Sequence, residues 1–153
     1  MTSPTERDPG VTRFVRHDLP ADAPTAAMVR EDFARWLRRR VGLDETRLCD
    51  VVLAVNEALA NIAEFAYLDG ATGTSDLEAV NDVAAHVLTV TVSDQGHWRE
   101  PDPNRRQRHR GRGIPLMRTL ADSLIIDTSA LGTSVCMRFD HIDARMMAPA
   151  GVG

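Results

Sequence analysis

Hydrophobic positions recur at helical spacing through the middle of the chain. At ~100° per residue Leu48, Val52, Val55, Leu59, Ile62 and Ala66 form one narrow stripe, which predicts a long amphipathic helix with that stripe toward the core. Asp44 stands where its N-cap belongs, and Gly42 ends a preceding helix expected over 25–41, with Met28, Phe33, Trp36 and Leu37 available to pack. Elsewhere the period is two: Leu88, Val90 and Val92 alternate with Thr89, Thr91 and Ser93, as in a half-buried strand over 87–93. A strand over 11–19 opens the fold, and a short strand over 77–83 should pair with 87–93. The Gly- and Thr-rich stretch 69–75 between helix and strand is expected as a loop. A helix over 114–121 and a hairpin of 123–128 with 134–140 complete the set. This order predicts an α+β two-layer sandwich, a mixed, mainly antiparallel sheet covered by helices on one face. Residues 1–10 and 141–153 are expected to be flexible tails around a single domain, 11–140.

The long helix carries the first candidate chemistry. Glu57 and Asn61 lie opposite the apolar stripe with Asp50 and Glu64, where charged residues are ordinarily just solvated. Two details argue otherwise. The residues between them are Leu53, Ala54 and Ala60, small or apolar, and no Lys or Arg occurs from Leu48 to Tyr67 to form i,i+4 pairs. A carboxylate and a carboxamide among small side chains admit a bulky ligand, and their oxygens suit a hard cation such as Mg²⁺.

Two further patterns are weak alone. The strand over 87–93 runs into Asp94-Gln95-Gly96, where a carboxylate could accept from an exocyclic amine while the glycine lets a flat ring approach. A plain turn has the same composition. Gly111 and Gly113 precede a helix that starts around Ile114 with Pro115 in its first turn, an arrangement that offers amide groups to a phosphate. Finally, Gly132-Thr133 opens the last strand, and the threonine hydroxyl could meet a ligand or could simply begin a strand.

In chain order, Asn56-Glu57-Ala58-Leu59-Ala60-Asn61, Asp94-Gln95-Gly96-His97-Trp98 with Pro101, Gly111-Arg112-Gly113-Ile114-Pro115-Leu116-Met117 and Gly132-Thr133 resemble the N, G1 and G2 boxes and closing strand of the GHKL (Bergerat-fold) ATPases. Within that superfamily the chain is similar to the RsbW-like anti-sigma-factor serine/threonine kinases, over roughly 11–139. The resemblance implies ATP and Mg²⁺ as cofactors. It implies Glu57 as the general base, Asn61 as the Mg²⁺ ligand, Asp94 as the adenine-amine acceptor and Gly96 beside the ring. It places Gly111 and Gly113, with Arg110, Arg112 and Ile114, around the phosphates, and Thr133 near adenine. The implied partners are a sigma factor and an anti-sigma-factor antagonist of STAS type, with a homodimer as a further family habit. Two positions depart from the pattern: Phe65 stands where the family usually has histidine, and Trp98 replaces the second G1 glycine. Phe65 keeps open an alternative of another class, a non-catalytic interaction module that holds a partner without phosphoryl transfer.

Composition narrows the picture only a little. A chain of 153 residues suits one domain, and 43% hydrophobic with 26% charged residues is ordinary for a globular protein. The net charge of −4 gives no general pull toward nucleic acid. The run from Arg105 to Arg112 nonetheless holds five arginines in eight residues. These could meet ATP phosphates or an acidic partner, could be solvated, or could bind nucleic acid, although no aromatic residue interleaves for stacking. No apolar run is long enough to span a bilayer and the polar start is unlike a signal peptide, so a soluble, cytoplasmic protein without membrane contact is expected. Cys49 and Cys136 are expected as reduced core residues without a metal role.

Overall fold

The computed structural model describes residues 10–66, 73–94, 114–129 and 132–142. Five strands and three helices follow in the order β1 (Val11–Pro20), α1 (Ala23–Arg40), α2 (Glu45–Ala66), β2 (Thr74–Asp82), β3 (Val87–Asp94), α3 (114–120), β4 (Ser123–Ser129) and β5 (Gly132–Phe139). The sheet order is β1-β2-β3-β5-β4 and every described pairing is antiparallel. The expected two-layer α+β arrangement is present, with an antiparallel sheet rather than a mixed one. The reason is topological. β3 and β4 run in the same direction through the α3 crossover, but β5 turns back from β4 and inserts between them, so no parallel ladder forms.

Local chemistry sets the helix ends. Asp22 caps α1 by accepting from the Thr25 N–H at 2.7 Å, and Asp44 caps α2 by accepting from the Arg47 N–H at 2.7 Å. The last turn of α1 carries Arg38, Arg39 and Arg40, cations that complement the carbonyl end of the helix dipole.

The core lies between the helices and the inner face of the sheet. Phe33 and Leu37 of α1, Val51, Ala54 and Val55 of α2, Leu77 and Ala79 of β2, and Leu88, Val90 and Val92 of β3 are fully enclosed. The buried side of α2 is therefore wider than the predicted stripe and turned toward Ala54 and Ala58, while Val52 is only half-buried. In α1 the inward positions are Val29, Phe33 and Leu37, spaced i, i+4 and i+8; Met28, one residue off that row, is 64% exposed rather than packed. Cys49 likewise falls outside the core. It lies on the exposed side of α2, and Cys136 is half-buried on β5; both are free thiols.

Two boundaries shift for identifiable reasons. β2 starts at Thr74, inside the expected loop, because Pro20 and Leu19 of β1 pair with Thr74 and Ser75. That pairing requires a bulge in β1, where His17 and Asp18 occupy the register between Arg16 and Leu19. Asp18 takes a left-handed φ of 54°, and its N–H is held by Asp76 Oδ1 at 2.9 Å. Residues assigned to the tails also have partners. The Val83 N–H donates to the Gly10 carbonyl at 2.8 Å, and Ile142, buried, donates its N–H to the His86 carbonyl at 3.0 Å.

A polar knot ties α2 to the end of the sheet. Arg47 Nη2 donates to Asp122 Oδ2 at 2.6 Å and to the Asp140 carbonyl at 3.3 Å, while the Asp140 N–H donates to Asp122 Oδ2 at 2.7 Å. Partial burial pulls the Asp122 pKa upward, but the Asp140 N–H and the Arg47 guanidinium outweigh it and leave the carboxyl below its usual value. A carboxyl with a folded pKa below its unfolded one stabilises above the unfolded value, and the effect disappears as pH falls through the folded one. Asp122→Asn is expected to lower stability by about 1 kcal/mol at pH 7, a figure held down because the pair is about one-third exposed. Thermal unfolding should show the gap between wild type and variant narrowing as the pH falls below the ordinary carboxyl value of about 3.9 and through the lower folded one.

Candidate functional site

The knot also anchors the first turn of α2 over the sheet. Arg47 lies over the Phe139 ring, its guanidinium carbon 5.5 Å from the centroid, and Phe139 pairs with Leu88 at the start of β3. The first turn of α2 is therefore above the beginning of β3. From Arg47 to Asn61 the helix rises roughly 21 Å at 1.5 Å per residue, and from Leu88 to Asp94 the strand advances roughly 20 Å at about 3.3 Å per residue. The two lengths are closely matched, and α2 packs on β3.

On α2, Glu57 and Asn61 are one turn apart and both half-buried. The opposite flank of the helix faces α1, where Arg30 Nη1 donates to Asn56 Oδ1 at 3.2 Å. Glu57 and Asn61 thus lie on the side away from α1. That side also holds Arg47, and through it the Asp122 junction that follows α3. Ala54, expected to sit beside them on the ligand face, is instead fully buried beneath them.

At the end of the sheet three polar residues form one row across neighbouring strands. Asp94 of β3 pairs with Thr133 of β5 on one side and with Ser75 of β2 on the other. All three belong to the helix-facing register, in line with Leu77, Val92 and Val135. Asp94 and Thr133 are half-buried, while Ser75 is 4% exposed. Cross-strand neighbours are ~5 Å apart, so the carboxylate is flanked by a hydroxyl on each side. Ser75 was missed from sequence because it was assigned to the loop; alternation of Ser75, Leu77, Ala79 and Asn81 is the signal that could have found it. Gly132 opens β5 with φ 142°, a backbone angle that glycine takes without cost, and so starts the strand that delivers Thr133.

Ile114, the other expected contact, begins α3 half-buried and packed against the core, one helical turn before fully buried Met117. Gly96, Arg110, Gly111, Arg112 and Gly113 lie outside the described residues, as does the side chain of Phe65. No group of three or more His, Cys, Asp or Glu side chains that could hold a metal occurs among the described residues. The oxygen donor at the right end of α2 is the Asn61 carboxamide. That suits a cation such as Mg²⁺, which keeps waters and takes most of its remaining ligands from a phosphate chain.

Asp94, flanked by Ser75 and Thr133, closes one end of the helix-facing side of the sheet, and Glu57 and Asn61 lie half-buried on the helix that packs on β3. Comparison with known proteins bears on the fold and the family. The crystal structure of the RsbU and RsbW domains of Rv1364c from Mycobacterium tuberculosis superposes with a TM-score of 0.66 at 22% identity, over 84% of this chain and 32% of that one. The chain thus spans about a third of that relative, and the likeness bears on the fold. The family described as the histidine kinase-like ATPase domain matches residues 19–139. With most of its length accounted for by that match, and its α+β fold as described, the chain belongs to the histidine kinase-like ATPase domain family, whose members imply nucleotide binding.

Proposed function

We propose that this protein binds ATP with Mg²⁺ and acts as an anti-sigma-type regulator that transfers the γ-phosphoryl group to a serine or threonine of an anti-sigma-factor antagonist. The observations that support the reading are Glu57 and Asn61, half-buried one turn apart on the helix that packs on β3, and Asp94 paired with Thr133 at the end of that strand. The RsbW-domain likeness supports the choice of output, with a sigma factor and a STAS-type antagonist as the partners.

In this reading Asp94 accepts from the exocyclic amine of adenine, and Thr133 contacts the ring beside it. Glu57 orients the attacking hydroxyl and takes its proton. The new bond joins the serine oxygen to phosphorus, and the bond from that phosphorus to the bridging oxygen breaks, leaving ADP. Asn61 would hold Mg²⁺, which when bound neutralises charge on the phosphates. Gly96 would lie beside the ring, and Arg110, Gly111, Arg112 and Gly113, with Ile114, around the phosphates. Transfer of this kind depends chiefly on position and charge, so few reactive side chains are needed.

A second reading rests on Phe65, which replaces the usual family histidine one turn beyond Asn61. It describes a module that binds its partner, with or without nucleotide, and transfers nothing. Incubation with γ-labelled ATP and a purified antagonist domain distinguishes the two. Labelled phosphoserine or phosphothreonine on the antagonist is the expected result, and stable complex formation without label would favour the module.

A further inference from the structure

We infer that the free edge of β4 is an interface for a second copy of this chain, whose own β4 pairs with it antiparallel about a two-fold axis at Ile125. The inference stands apart from the ATP-binding reading and needs no nucleotide.

The two outer strands of the sheet differ in how they treat a further strand. β1 discourages one: exposed Arg13 and Arg16 lie along it, a bulge falls at His17 and Asp18, and Pro20 ends it. β4 has none of these devices, and its one charge is Asp127. Its register with β5 runs unbroken from Ser123 to Ser129, and among the described residues it has a neighbouring strand on one side only. The stretch Leu124-Ile125-Ile126 is apolar throughout. Leu124 and Ile126 face the helices, opposite Met137 and Val135, and are only half-buried. Ile125, opposite Cys136, points to the helix-free face and is 62% exposed. A straight, apolar edge of this kind is a template for another strand.

The occupant follows from the register that the edge can form with itself. Ser129 and Gly132 are paired across two intervening residues, the hydrogen-bonded pair that closes a short hairpin. Counting back by twos, Asp127, Ile125 and Ser123 direct their backbone groups to β5, which leaves the N–H and C=O of Leu124 and Ile126 pointing to the free side. A two-fold axis at Ile125 sets Leu124 opposite the second copy's Ile126, and Ile126 opposite its Leu124, where these outward groups exchange N–H···O=C bonds. The same axis brings the two Ile125 side chains together on the helix-free face and sets Ser123 opposite Asp127, a hydroxyl for a carboxylate. Moving the axis to Ile126 would instead set each Ile125 against the charged Asp127. Pairing of β4 with the β1 edge of another copy would meet the bulge, Arg13 and Arg16, so the contact closes as a dimer rather than extending into a filament.

Sedimentation equilibrium of the purified protein is expected to show a concentration-dependent monomer–dimer equilibrium. Ile125→Lys, which sets like charges directly opposite each other at an already exposed position, should raise the dimer Kd by about tenfold or more and leave thermal unfolding at monomeric dilution unchanged. Cross-linking locates the axis. With Cys49 and Cys136 both changed to Ser, Ile125→Cys should oxidise to a disulfide-linked dimer, since its Cβ atoms would be ~4.5–5.5 Å apart, whereas Asp127→Cys, roughly 13 Å from its copy, should not. A protein that stays monomeric, a dimer that Ile125→Lys leaves as tight as wild type, or cross-linking that is absent at 125 or equal at 125 and 127 would overturn the proposal.

Discussion

Glu57→Gln is expected to lower phosphoryl transfer to the antagonist by about 10²- to 10⁴-fold while leaving the Kd for ATP within about threefold of wild type. The split follows from position. Glu57 is one turn before Asn61 on the half-buried flank of α2, while the row proposed to bind the base is at the end of the sheet. Removing the carboxylate takes away the acceptor for the attacking proton but no contact to the base. Glutamine keeps the shape and hydrogen-bonding reach of the side chain, so α2, whose packing depends on Val51, Ala54, Val55 and Ala58, is undisturbed. Single-turnover transfer measured beside calorimetric affinity checks both halves. A variant that transfers at the wild-type rate would remove Glu57 from the reaction, and one that loses ATP affinity to the same extent as rate would place it in binding.

Asp94→Asn carries the second large effect, on binding. A buried hydrogen bond from an amine to a charged acceptor is worth about 1.5–3 kcal/mol, or roughly 10- to 150-fold in Kd. Asparagine conserves size at the end of β3, where Asp94 pairs with Ser75 and Thr133, so the sheet should hold. Its amide can now donate as well as accept. The expected outcome is weaker ATP and ADP binding by the same factor, because the contact is to the base and not the phosphates, with GTP affinity unchanged or improved. Competition of the three nucleotides against a fluorescent analogue measures this directly. Equal losses for ATP and GTP would point to a general collapse of the site rather than loss of an adenine contact.

Sequence reasoning reached individual elements further than it reached their neighbours. α2 and its cap were legible because apolar spacing and Asp44 agree, and β3 because Leu88, Val90 and Val92 alternate without interruption. Asn61 and Asp94 were each named from local pattern, whereas the packing of α2 on β3, with Arg47 over Phe139 at its start, was not visible there. Ser75 was hidden because a Gly- and Thr-rich approach looks like a loop, and the pairings that make it a strand are with Leu19 and Asp94, both distant in the chain. Met28 and Val29 exchanged places because a helix stripe drawn from hydrophobicity alone tolerates an error of one residue, roughly 100°. Ala54 was assigned to the ligand face for a related reason: being small, it gave no sign of which neighbour it touches. The Arg47–Asp122–Asp140 knot joins residues 75 and 93 positions apart, beyond any local pattern.

The most direct measurement is calorimetric titration of Mg-ATP into the purified protein, with Asp94→Ala as the control under the same conditions. Saturable one-to-one binding that is lost in Asp94→Ala, with both proteins giving cooperative thermal unfolding, is the predicted result. Absence of binding to folded wild type, or equal binding by the variant, would contradict an adenine-nucleotide site at the Ser75–Asp94–Thr133 row.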